Sequence, residues 1–200
     1  MLQVLGRATS GNVQKVLFLL ETLKLPYERL DYGRIFDNTT STPQYKAMNP
    51  TQKVPTLVDG DLAVWESHTI LRYLAARHGA TELLPADPGA RTHVERWMDW
   101  GLGALNPAYM AGFRDAKKSE QERGADTVKN LSAELAILDG QLSRQAWVAG
   151  EAMTLADICL APIVRRCVAF PFGLSEFAHV AAWLERLEAL PAFQRATEKN

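Results

Sequence analysis

Apolar residues change their spacing along this chain in a way that divides it into two parts. Leu2–Leu5 is a short apolar run of strand length, and Val13–Lys24 carries Val16, Leu17, Leu20 and Leu23 at helical spacing. Pro26 ends that helix, and Tyr27–Leu30 predicts a second strand. A helical crossover makes the two strands parallel and their connection right-handed. Residues 33–51 are rich in Thr, Asn and Pro, so they predict a loop with one short helix around Gln44–Ala47. Thr56–Val58 and Leu62–Trp65 predict an antiparallel hairpin around an Asp59-Gly60 turn. Ser67–His78 closes the series as a helix with Ile70, Leu71 and Leu74 on one face. The order is βαβ followed by ββα.

Beyond residue 79 the pattern is helical throughout. Pro85, Asp87, Pro88 and Gly89 mark 80–89 as a linker, leaving 1–79 as an α/β domain and 90–200 as an all-helical one. Arg91–Asp115 reads as one long helical segment in which Gly101, Gly103 and above all Pro107 predict a kink. Lys118–Leu142 has Val128, Leu131, Leu135 and Leu138 on one face. Thr154-Leu155-Ala156-Asp157 is a helix start close to a capping box, with Met153 and Ile158 at the staple positions. His179–Leu190 and Ala192–Lys199 follow as short helices separated by Pro191.

Composition narrows the function classes. Lys and Arg number 22 against 23 Asp and Glu, and the net charge of −1 offers no field for nucleic acid or an anionic membrane. The apolar start Met1-Leu2-Gln3 lacks a charged leader, and no apolar stretch reaches membrane-spanning length. Cys159 and Cys167 share one helical segment at a separation of roughly 12 Å, too far for a disulfide. A reducing cytoplasm is the expected location. His68, His78, His93 and His179 are scattered without ligand-like spacing, so no metal is expected.

The densest chemistry lies between Gln52 and Ile70. Val54 precedes Pro55 at the start of a strand, where the lost N–H is tolerable and a cis bond is open to the chain. Glu66-Ser67 opens a helix whose free N–H groups and positive dipole end attract a carboxylate. Together they predict a docking edge for a small anionic peptide.

With Thr9-Ser10 before the first helix, Val54-Pro55, Glu66-Ser67 with Ile70, and the Thr154-to-Asp157 motif after Gly150, the chain resembles the cytosolic glutathione S-transferases over its whole length. The Ser10 region is similar to bacterial, theta- and delta-like members that use serine, and Arg96-Trp97-Met98-Asp99-Trp100 with Leu105-Asn106-Pro107 also has a bacterial character. The resemblance implies a thioredoxin-like N-terminal domain, an all-helical C-terminal domain, glutathione as co-substrate, a small hydrophobic electrophile as second substrate, a detoxifying role and a homodimer. Conjugation is the implied reaction. Glutathione-dependent isomerisation, dehalogenation or peroxide reduction on the same scaffold, and a non-catalytic carrier, are the alternatives.

The chemistry expected of Ser10 is thiol activation. Only the thiolate is a good nucleophile, and ionising a thiol of pKa ~8.5 at neutral pH takes about 2.7 kcal/mol. A hydroxyl donating to the thiolate supplies about 1.5–3 kcal/mol and a helix N-terminus ~0.3–1. Ser10 at the mouth of the first helix brings both to one sulfur, although serine is also an ordinary N-cap, and Thr9 or Asn12 could donate instead. Serine, unlike cysteine, cannot form a mixed disulfide, which favours conjugation over redox exchange. The resemblance further implies that the Val54 main chain binds the cysteinyl unit by strand addition, with Pro55 mainly structural. It gives the γ-glutamyl end to Glu66 and Ser67, and the glycyl carboxylate to Lys53 with Thr39, Thr40 or Gln52. For Glu66-Ser67 a plain helix cap, and for Lys53 a solvated surface lysine, stay open. Asp99 could reach a glutamyl amine across a dimer or simply face solvent. For the electrophile, expected between the domains, Ala8, Asn106, Tyr109, Met110, Phe113 and Arg114 are the candidates. The spacing of Tyr109, Met110 and Phe113 suits helix packing equally well.

Overall fold

The computed structural model describes residues 1–33, 38–174 and 176–198. Part of the expected 33–51 loop and Lys199 lie outside those residues. By packing, the chain divides into two compact units, Met1–Thr81 with Leu190–Asn200, and Glu82–Ala189.

The first unit runs β1 (Leu2–Leu5), α1 (Gly11–Thr22), β2 (Tyr27–Leu30), α2 (Pro43–Met48), β3 (Thr56–Asp59), β4 (Leu62–Trp65) and α3 (Ser67–Arg77). The strands form one four-stranded sheet in the order β2-β1-β3-β4. β1 is parallel to β2, and β3 is antiparallel to β1 and β4. Strands this short hold by packing rather than propensity. Leu2, Val4 and Leu5 of β1, Val13, Val16, Leu17 and Leu20 of α1, and Ile70, Leu71 and Leu74 of α3 are all buried. Each such side chain contributes about 1.5–3 kcal/mol.

Local stops and turns differ from the sequence reading by small, explicable steps. α1 ends at Thr22 because Lys24 takes a left-handed conformation (φ 53) and Leu25 N–H bonds the Leu20 carbonyl at 3.0 Å. That motif closes the helix before Pro26 is reached. The hairpin turn is Gly60-Asp61, not Asp59-Gly60, because Asp59 still pairs with Leu62. Gly60 then takes φ 59 at the first turn position, which glycine alone adopts without strain.

The second unit contains α4 (Pro88–Trp100), α5 (Asn106–Asp115), α6 (Thr127–Leu142), α7 (Leu155–Val168) and α8 (Ala178–Glu188). The kink expected at Pro107 takes the form of a π-helical turn over Gly101–Leu105, in which Asn106 N–H bonds the Gly101 carbonyl. Widening the helix just before the proline removes the clash and the missing donor together. The helix expected from Lys118 begins only at Thr127. Residues 116–126 wrap instead around Asp115, whose carboxylate accepts from Gly124 N–H at 2.8 Å, Thr127 Oγ1 at 2.6 Å and Lys118 Nζ at 2.7 Å. These donors, Lys118 foremost, hold the Asp115 carboxyl below the usual carboxylate range.

α7 is the core helix of this unit, buried from Leu155 to Val164. Its capping box is formed as expected, with Thr154 N–H donating to Asp157 at 2.8 Å. Asp157 also accepts from Val148 N–H and from Trp183 Nε1, both at 2.9 Å. Burial pushes its carboxyl up, and the hydrogen bonds oppose that shift. The final helix, α9 (Pro191–Thr197), starts at Pro191 itself and ends at Thr197. It packs on α1, with Phe193 edge-on to Phe18 at 5.0 Å between ring centroids. The last eleven residues therefore group with the first unit, although the sequence pattern placed them in a helical stretch running from 90. No helix among the described residues is long and apolar enough to cross a membrane.

Candidate active site

The site is built on two helix starts and one strand lead-in, all in the first unit. β1 leads into a loop that is pinned at three points before α1 begins. Gly6 N–H bonds the Leu30 carbonyl at 2.8 Å, Ser10 N–H bonds the Arg7 carbonyl at 3.1 Å, and Gln14 Nε2 bonds the Ala8 carbonyl at 2.9 Å. Ser10 is the N-cap of α1, yet its side chain makes no cap hydrogen bond. Its hydroxyl and the N–H groups of Gly11, Asn12 and Val13 therefore stand at the helix mouth uncommitted to capping. Asn12 is half-buried and Thr9 exposed.

Val54 lies beside this mouth. A Cβ built on Gly6 would stand 3.1 Å from Val54 Cβ and 2.5 Å from Val13 Cγ2, so glycine is what allows β1, α1 and the β3 lead-in to approach so closely. The Val54-Pro55 peptide is cis. Among the described residues, no main-chain hydrogen bond is made to Val54 itself. Its neighbour is fixed instead. The Lys53 carbonyl accepts from Tyr45 Oη at 2.7 Å and Asn49 Nδ2 at 2.9 Å, while the Lys53 side chain is exposed. Thr56 Oγ1 donates to Tyr45 Oη at 2.9 Å and accepts from Asn49 at 3.0 Å. Burial pushes the Tyr45 hydroxyl up, so it remains a donor at neutral pH. This network holds the segment that leads into β3, with Val54 half-buried within it.

α3 supplies the second helix start. Glu66 is its N-cap, with φ 67 and no side-chain cap bond, and Ser67 is its first residue, 2% exposed. A non-glycine residue held at positive φ is strained, and such strain concentrates at functional positions. The glutamate is solvent-exposed. Tyr73 Oη bonds Asp59 at 2.7 Å and ties α3 to the hairpin. Lys15 of α1 and His68 of α3 meet at 3.1 Å in the core and bring the two helix starts together. Val54 lies against the α1 start through Gly6, and Lys15 with His68 joins the starts of α1 and α3; two helix N-termini held together in this way suit an extended anionic peptide.

The second unit gathers some of the remaining candidates. Tyr109 stacks on Phe170 at 5.9 Å and meets Phe113 at 6.1 Å, and Phe170 meets Phe172 at 5.4 Å. Tyr109 is buried. Phe113 and Met110 are exposed, with Lys117 Nζ 4.5 Å above the Phe113 ring. Asn106 is half-buried, and Arg114 and Asp99 are exposed. Ala8 belongs to the first unit, where its carbonyl is held by Gln14. Among the described residues no group of three His, Cys, Asp or Glu is placed to hold a metal.

Sequence reasoning missed Tyr45, Asn49 and Thr56 beneath Lys53, Gly6 beneath Val54, and Phe170 with Phe172 beside Tyr109. The Asn49-Pro50-Thr51 turn signal was available in the sequence. Nothing local marked the rest, because each acts on a partner distant along the chain.

Comparison with known proteins supplies the family context. The model described as "Glutathione S-transferase, N-terminal domain" matches residues 9–77, and "Glutathione S-transferase, C-terminal domain" matches residues 102–191. Glutathione S-transferase GstB of Escherichia coli (strain K12) is 34% identical, over 98% of this chain and 97% of that protein. The theta-class glutathione S-transferase of Xanthomonas axonopodis pv. citri, solved with glutathione bound, is 33% identical with a TM-score of 0.91, covering 100% of this chain and 98% of that one. The delta-class glutathione transferase of Nilaparvata lugens shares 26% identity with a TM-score of 0.91, over 100% of this chain and 94% of its own.

Proposed function

The chain belongs to the glutathione S-transferase family, and from that premise we propose that Ser10 holds the thiolate of glutathione on a site formed by the starts of α1 and α3. The protein is a glutathione transferase, which binds glutathione and conjugates its thiol to electrophilic compounds. The observation that carries the residue assignment is the Ser10 hydroxyl, placed at a helix N-cap and not used to cap it.

In this reading the Val54 main chain pairs with the cysteinyl unit, which aims the sulfur at the mouth of α1. Ser10 donates to the thiolate, and the free N–H groups of the first turn add the positive end of the helix dipole. Asn12 and Thr9 flank the sulfur. The γ-glutamyl carboxylate is received by Ser67 N–H and hydroxyl at the start of α3, and its amine by Glu66. Lys53, exposed next to Val54, takes the glycyl carboxylate. Pro55 shapes the Val54 edge and makes no contact of its own. The thiol proton passes to solvent and the thiolate attacks an electrophilic carbon; in substitution the leaving group departs with its electron pair, and in addition the adduct takes a proton back from solvent. Ala8, Asn106, Tyr109, Phe113 and Arg114 are the residues proposed to meet the small hydrophobic electrophile. A homodimer, a cytoplasmic location and a role in detoxification complete the proposal.

The test is equilibrium binding of glutathione followed by ultraviolet absorbance of the bound thiolate at neutral pH. Binding with a thiolate signal that Ser10→Ala lowers is the expected result. Binding without any thiolate signal in the native protein would give the scaffold a carrier role, and no binding would sink the site assignment.

A further inference from the structure

Lys15 stands in the second turn of α1 and is 3% exposed, yet it carries an amine. Its Nζ lies 3.1 Å from Nε2 of His68, the second residue of α3, which is itself 1% exposed. Beside Gln14 and Ser67, the buried neighbours along both helices are apolar. Val13, Val16 and Leu17 flank Lys15, and Ile70 and Leu71 follow His68, all buried. Burying an amine and an imidazole costs the desolvation of both, and apolar side chains of similar volume pack such a position without that cost. Apolar contact, however, tolerates sliding and rotation. A hydrogen bond between two side chains has a fixed length and direction, and fixes one helix start against another.

The location makes that property useful. His68 follows Ser67 directly, and Lys15 lies five residues beyond Ser10. With the Lys15 amine as donor to Nε2, the ring proton of His68 stands on Nδ1. We infer that Lys15 and His68 are positioning residues for glutathione, their hydrogen bond setting the first turn of α3, and with it Ser67, against the start of α1. This rests on the reading that Ser67 receives the γ-glutamyl carboxylate. The pair acts on how the peptide is held, not on the ionisation of the sulfur, and small displacements of such donors weaken binding steeply.

The test uses the full chain and two ligands, glutathione and S-methylglutathione, whose sulfur cannot ionise. In Lys15→Met/His68→Leu, calorimetry should show both ligands weakened by about ten-fold, the loss of one well-placed hydrogen bond to a charged group. Its melting temperature is measured alongside, and affinity should fall further than any change in stability accounts for. The effect should fall on KM for glutathione more than on kcat. His68→Gln keeps an acceptor for Lys15 and should hold both affinities within about three-fold of the native value. A merely structural role predicts the opposite coupling, with affinity falling only as stability falls. Unchanged affinity in the double variant, a loss confined to glutathione or to kcat, or no rescue by His68→Gln overturns the inference. If the double variant does not fold, Lys15→Met alone carries the same comparison. Ser67→Ala is run alongside. If it weakens binding and the double variant does not, only the positioning role fails. If it leaves binding intact, the assignment of Ser67 fails and the route through α3 fails with it.

Discussion

Replacing Ser10 by alanine should raise the pKa of the bound thiol while leaving the fold and glutathione affinity nearly intact. The hydroxyl's hydrogen bond to the thiolate is worth about 1.5–3 kcal/mol, so its removal raises that pKa by roughly one to two units. The backbone donors of Gly11, Asn12 and Val13 remain in the variant, and with them about 0.3–1 kcal/mol from the helix dipole. Partial activity should therefore survive. Turnover at neutral pH is expected to fall ten- to hundred-fold, to order of magnitude. Replacing an N-cap serine ordinarily costs about 1 kcal/mol of stability, but Ser10 makes no cap bond, so the melting temperature should hardly move. The sign of the pH effect follows from which form the hydrogen bond favours. Losing a donor to the anion destabilises the anion, so the deficit is greatest at neutral pH and shrinks as pH rises. The assays are ultraviolet titration of the bound thiol and kcat against pH with an aryl halide. An unshifted thiol titration would refute the reasoning, as would a rate deficit that persists at alkaline pH. An equal loss in Thr9→Ala or Asn12→Ala would move the role to that neighbour.

Gly6→Ala places a Cβ 2.5 Å from Val13 Cγ2 and 3.1 Å from Val54 Cβ. It should cost about 1–3 kcal/mol and weaken glutathione binding; native stability and affinity together would contradict the packing argument. Asp115 has its acidity strengthened in the fold, so its stabilisation is present above the ordinary carboxylate pKa of about 3.9 and is lost as pH falls below it. Asp115→Asn should lower the melting temperature at neutral pH and flatten its decline in acid; parallel curves for the two proteins would argue against that. Burial pushes the Cys167 thiol up to about 12, and Cys159 is equally enclosed. Both should be silent to a disulfide reagent at mildly alkaline pH and react on unfolding, so rapid labelling of the native protein would contradict their burial.

How much was legible in the sequence depended on how far each signal reaches. The capping box at Thr154 and Asp157 acts over three residues and was readable. So was the cis-competent Val54-Pro55 step, and so were the starts of α1 and α3, since caps and prolines work on their immediate neighbours. Where two local signals competed, the reading slipped. Apolar periodicity carried α6 back to Lys118, but the Asp115 carboxylate gathers residues 116–126, with a 3₁₀ turn at Glu120–Glu122, around itself, and nothing in their spacing reveals it. Gly60 was assigned to the correct turn and the wrong position within it, because ladder pairing, not turn composition, fixes the register.

The order of elements and the local signals at Ser10, Val54-Pro55 and Glu66-Ser67 were set by the sequence alone, because each rests on contacts within one or two turns of chain. Tertiary structure decided what holds those residues in place. Tyr45, Asn49 and Thr56 converge under Lys53, Gly6 clears space for Val54, and Lys15 meets His68 across 53 positions. It also returned α9 to α1, where Phe193 meets Phe18 edge-on. Burial and side-chain hydrogen bonds act between residues that become neighbours only when the chain has folded.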